Sequence, residues 1–95
     1  MAANLLVPTA LRGFTDRKAE ISLDGATVGA LLEALVSEYP DIRPHLFDGD
    51  GALRGFINVF VGEENIRGTG GLGTPVADGA TVMVVPAIAG GAGSR

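Results

Sequence analysis

In "TVGALLEALVSEYP" the apolar residues Val28, Leu31, Leu32, Leu35, Val36 and Tyr39 recur three and four apart, while Glu33, Ser37 and Glu38 fall between them. That spacing gathers the apolar side chains on one side of a helix and the charged ones on the other. Thr27 stands where an N-cap belongs and Pro40 where the helix must stop, so the spacing predicts one main helix between them. Burying six such side chains contributes roughly 1.5 to 3 kcal/mol each, but only against a second apolar surface. The helix therefore requires a sheet to lie on.

The remaining patterns supply it. "NLLVPT" reads as a short strand ending near Pro8, and after the polar "GFTDR" the segment "AEISL" alternates Ile21 and Leu23 with Glu20 and Ser22, so the two suggest a hairpin. After the helix, "DIRPHLFDGDGALRG" reads as a short helical turn and a loop rich in Gly and Asp, a linking segment. "FINVFVG" carries the strongest alternation, with Ile57, Val59 and Val61 on the face suited to the core and Phe56, Asn58 and Phe60 on the other. "EENIRG" is a turn with a short returning strand, and "DGATVMVVP" turns at Asp78 and Gly79 into a last strand from about Thr81 to Val85. The order is β-β-α-β-(β)-β, an α+β arrangement of one mixed sheet with the helix across one face.

Ninety-five residues without a repeat correspond to one small domain. No apolar run approaches the ~18 residues of a membrane span. The amino terminus lacks the cationic and apolar blocks of a signal peptide, so a cytoplasmic location is expected. Cysteine is absent, which excludes disulfides, thiolate metal ligands and any chemistry on a side-chain thiol. The net charge is −4, and the basic residues Arg12, Arg17, Lys18, Arg43, Arg54, Arg67 and Arg95 are scattered along the chain, which argues against nucleic acid and for a basic protein surface as partner.

Several motifs have plain explanations. "GTGGLG" at Gly68–Gly73 has the spacing of a dinucleotide loop, yet "TPVADG" follows it with a proline and a turn instead of a helix, so it reads as a loop between strands. His45 is the single histidine, and a metal site would rest on it with Asp41 and Asp48; a solvated side chain is the simpler reading, and no metal ligand set is assigned. The adjacent Glu63 and Glu64 sit in a turn and serve solubility, and no nucleophile with its base emerges. Phe56 and Phe60 leave two alternatives open. They are an exposed aromatic pair that faces a partner, or a satellite cluster covered by the "DGDGALRG" loop.

The segment "PAIAGGAGSR" is different in kind. Past Ile88 it offers almost no apolar surface, while ordering each residue costs about 1 to 2 kcal/mol, so it is expected to stay mobile until gripped. Gly90 and Gly91 lack side chains and fit a channel too narrow for other residues; the plain alternative is a frayed terminus. Residues 1–86 are thus expected to fold and residues 87–95 to form a tail.

The helix above, "FINVFVGEENIR" and "GGLGTPVADGATVMVVPAIAGG" together resemble the MoaD/ThiS family of ubiquitin-like sulfur-carrier proteins, and within it carriers of the CysO type. The resemblance runs nearly from the start of the chain to Gly91. It implies a β-grasp fold and a protein co-substrate, not an enzyme, with no cofactor of its own. By the same resemblance the carboxylate of Gly91 is adenylated by an E1-like adenylyltransferase, exchanged for a thiocarboxylate, and presented to a sulfur-accepting synthase, with cysteine or a sulfur-containing natural product favoured. Gly90 is then the slender penultimate residue, and Ala87, Ile88 and Ala89 thread the partner channel. The lack of cysteine agrees, since sulfur must then ride on the chain's own carboxyl end.

Ala92–Arg95 depart from that pattern, because the carbonyl of Gly91 is an amide to Ala92 and an amide cannot be adenylated. Three explanations stand: a native extension removed by a protease, for which family analogy suggests a JAMM-type metalloprotease; an appendage left by expression; or a copy used unprocessed. Two other functions remain beside the sulfur carrier. A ubiquitin-like modifier would end as an isopeptide on lysine, and an interaction module would use the Phe56 and Phe60 surface alone.

Overall fold

The computed structural model describes residues 2–86, and the expected tail, Ala87–Arg95, lies outside the described residues. Five strands form one sheet: β1 (Ala2–Leu6), β2 (Glu20–Asp24), β3 (Ile57–Val61), β4 (Glu64–Asn65) and β5 (Thr81–Pro86). Their spatial order is β2-β1-β5-β3-β4. β1 and β5 run parallel, with Leu5 opposite Val82, and every other pair is antiparallel. The mixed sheet expected from the patterns is therefore present, in the β-grasp form that the resemblance implied, with the last long strand at its centre.

Helix α1 (Val28–Glu38) begins where the sequence placed it. The Thr27 hydroxyl accepts a 3.2 Å hydrogen bond from the Ala30 amide, satisfying one of the free N–H groups of the first turn. Val28, Leu31, Leu32, Leu35 and Val36 are buried. They share one cluster with Ala3, Leu5, Ile21, Leu23, Ile57, Val59, Val82 and Val84, the inward members of four strands. Gly25 allows the entry to α1 to approach closely. A Cβ there would stand 2.7 Å from the Leu31 backbone nitrogen.

Two connections do more than link. The segment between β1 and β2 is longer than a hairpin turn: a 3-10 stretch, Thr9–Phe14, buries Leu11 under the core before Asp16 and Arg17 reverse the chain at positive φ. After α1, a 3-10 turn at Pro40–Ile42 runs into the short helix α2 (Arg43–Leu46), and Ile42, Leu46 and Phe47 are all buried. The physical reason is size. A sheet this small has open ends, and apolar residues of its connections close them.

The "GTGGLG" segment is a loop, as expected. Gly70 and Gly71 both take positive φ, a 3-10 turn covers Gly71–Gly73, and the backbone of Leu72 lies against Gly29 of α1, where a Cβ would come within 3.1 Å of the Leu72 carbonyl oxygen. Its role is to seal the start of the helix.

Candidate functional site

The face of the sheet turned away from α1 carries the alternate residues of the same strands. Strand pairing aligns Glu20, Leu6, Met83, Phe60 and Asn65 in one row across all five strands. Side chains opposite one another on paired strands share a face, so Leu6, Met83 and Phe60 form an apolar band between polar ends. Ser22, Asn4 and Thr81 make the polar row to one side. To the other side Val85 lies opposite Asn58, while the next pair, Pro86 and Ile57, belongs to the covered face. The band thus leans towards the end of β5, from which the chain continues to the diglycine.

Met83 of the band is 38% exposed, and Phe56, in the turn that precedes β3, is 49% exposed. Phe60, Leu6 and Val85 are half-buried. The "DGDGALRG" segment leaves Phe56 open; its Ala52 and Asp48 close a turn of their own. A groove of about 380 Å³ continues the band at the exit of β5, between Leu6, Pro8, Arg12, Met83, Val85 and Pro86. The Arg12 guanidinium is held there by a 2.9 Å hydrogen bond from Nε to the Val7 carbonyl.

Of the residues singled out by sequence, Phe60 lies in this row, and Phe56 is exposed in the turn that leads into β3. Gly90, Gly91, Ala87, Ile88 and Ala89 lie outside the described residues. His45 is exposed and stacked on Phe14, ring centroids 4.2 Å apart, so it has an aromatic neighbour and is not simply solvated. Among the described residues no group of three or more His, Cys, Asp or Glu side chains is placed to hold a metal ion, and Glu63 and Glu64 are exposed at the β3–β4 turn. No helix among them is long and apolar enough to cross a membrane. Met83 and Leu6 were not singled out. The alternation of "TVMVVP" carries the signal for Met83, which must face opposite to Val82 and Val84, but its alignment with Leu6 and Phe60 depends on which strands pair.

A five-stranded sheet in this order, one helix across it, and a chain leaving the central strand define a ubiquitin-like β-grasp protein. The model of the ThiS family matches residues 5–91, and the chain belongs to that family. It is 39% identical over 93 residues to the sulfur carrier protein CysO of Mycobacterium tuberculosis, covering 96% of this chain and all of that protein. It is 35% identical over 68 residues to small archaeal modifier protein 3 of Haloferax volcanii, covering 72% and 73% of the two chains. Among solved structures, the Amycolatopsis orientalis BexX/CysO complex contains a chain that superposes with a TM-score of 0.86 at 35% identity, over 93% of this chain and 98% of that one.

Proposed function

We propose that this protein is a sulfur carrier, a protein co-substrate whose working form ends at Gly91. The observation that carries the reading is where the family match stops: it runs from residue 5 to residue 91, through the second glycine of the pair, and leaves Ala92–Arg95 outside. The full-length similarity to CysO supports the same role. Hydrolysis of the Gly91–Ala92 amide, assigned by family analogy to a JAMM-type metalloprotease, frees the carboxylate. Its oxygen attacks the α-phosphorus of ATP on an E1-like enzyme and pyrophosphate departs. A sulfide-level nucleophile then attacks the acyl carbon, AMP leaves, and the thiocarboxylate passes its sulfur to an accepting synthase, with cysteine or a sulfur-containing natural product as the favoured destination.

In this reading the partners dock on the band formed by Leu6, Met83 and Phe60, with the exposed Phe56 as a further anchor. The band is apolar, partly exposed, and continues to the groove at the end of β5, so an enzyme seated on it has the tail within reach of its catalytic centre. Ala87, Ile88, Ala89 and Gly90 are assigned in the same reading as the leash that enters the partner channel. The chemistry belongs to the partner, and the carrier contributes shape and a reacting terminus.

The test uses the chain ending at Gly91 with ATP, a sulfur source and its activating enzyme, read by intact mass. Exchange of one oxygen for sulfur is the expected result, with the full chain through Arg95 unreactive. A terminus that stays a carboxylate under turnover conditions overturns the reading. Similarity to small archaeal modifier protein 3 favours one second reading, in which the same acyl-adenylate ends on lysine side chains. Conjugates of higher mass in native cells, without thiocarboxylate, would establish that alternative instead.

A further inference from the structure

Strand β4 is too short to accompany β3. Its register pairs Phe60 with Asn65 and Val61 with Glu64, and the chain then leaves the sheet in a 3-10 turn at Ile66–Gly68. Continued along the strand, that register would set residue 67 opposite Asn58. The Arg67 side chain takes up the edge in place of the missing backbone. Its Nη2 donates to the carbonyls of Gly55 and Ile57, both at 2.8 Å, and its Nε donates to Asn58 Oδ1 at 3.1 Å. Asn65 Nδ2 reaches the same Asn58 oxygen at 3.4 Å, and Asn65 Oδ1 accepts from the Arg67 amide at 3.0 Å, so the clamp is itself held.

What the clamp holds is the turn that carries Phe56. The Ile57 amide donates to the Arg54 carbonyl at 3.0 Å, closing Arg54–Ile57 with Phe56 at the third position. The far end is fixed as well: the Arg54 amide donates to the Leu46 carbonyl at 2.8 Å, and its Nε to the Pro44 carbonyl at 2.6 Å. An aromatic ring that is half in water is thus mounted on a backbone tied from both sides. Ile57 pairs with Pro86, so this turn adjoins the end of β5.

We propose that Arg67 is a positioning residue for activation of the carrier: its guanidinium fixes the Arg54–Ile57 turn so that Phe56 meets the activating enzyme in one orientation beside the exit of the chain. This rests on the sulfur-carrier reading. An anchor held in its bound geometry binds without first losing conformational freedom. Lysine cannot replace the arginine, because one ammonium nitrogen cannot reproduce the fork that spans two carbonyls and an amide oxygen.

The experiment measures adenylation of the chain ending at Gly91 by pyrophosphate release, for wild type, Arg67→Lys, Phe56→Ala and the double variant. Phe56→Ala is expected to raise the KM for the carrier about tenfold. Arg67→Lys is expected to raise it about fourfold with kcat kept within about twofold, and exchange of the Phe56 amide proton should quicken. Since Arg67 acts through Phe56, the double variant should match Phe56→Ala alone, the two effects failing to multiply. A wild-type KM for Arg67→Lys, an unaffected Phe56→Ala, or penalties that multiply would each overturn the assignment. The carrier is the substrate here, so a smaller folded fraction would also raise its apparent KM at constant kcat; a rise that vanishes once concentrations are corrected for the folded fraction, measured by urea unfolding, would overturn the assignment too. Should Arg67→Lys fail to fold, Arg67→Gln, which keeps a planar donor, carries the same test. A wild-type chain that is never adenylated removes the sulfur-carrier reading, and this assignment with it.

Discussion

The two faces of the sheet are made by the same strands and differ in almost everything else. In β5, Val82 and Val84 are 0% and 3% exposed beneath α1, whereas Met83 between them is 38% exposed on the other side. The covered face is aliphatic in every strand but β4, because a helix pressed on it leaves no place for a polar atom without a partner. The bare face mixes Glu20, Asn4, Thr81 and Asn58 with a narrow apolar band. Stability is assigned to one set of alternate residues, which leaves the other set free for recognition.

That division predicts a graded series. Leu32→Ala on the covered face should cost about 2–5 kcal/mol in urea unfolding, since Leu32 is fully buried and its removal opens a cavity. Gly25→Ala should cost about 1–3 kcal/mol by the same measurement, because the new Cβ meets backbone of the α1 first turn and not a yielding side chain. Met83→Ser should change stability by less than about 1 kcal/mol, as expected for a side chain this open. Its effect should appear instead as a several-fold rise in the KM of adenylation. A Met83→Ser chain as unstable as Leu32→Ala would break the distinction between the faces. Unaltered adenylation in that variant would move the docking surface elsewhere.

The helix and both faces of β3 were legible in the chain because each rests on a period that a few residues reveal. Thr27, Pro40 and the buried positions of α1 follow from local rules alone, whereas the exposure of Phe56 stayed open because it depends on where the "DGDGALRG" loop runs. The burial of Leu11, Ile42 and Phe47 in connecting segments was not legible, since it depends on where the ends of the sheet lie in space. The Arg67 clamp was hidden for the same reason. It is defined by the point at which β4 stops, and an arginine after "EENI" looks like any solvated cation. The diglycine was the reverse case, plain in the sequence and outside the described residues.

β5 has a ladder on each side, parallel to β1 and antiparallel to β3, and the chain leaves from its end. A pull applied at that end is aligned with the strand, so it loads both ladders in shear and cannot open them one hydrogen bond at a time. The body therefore resists traction along its own tail far better than traction across the sheet, and a machine that draws the end into a tunnel works against the strongest mechanical axis the domain possesses.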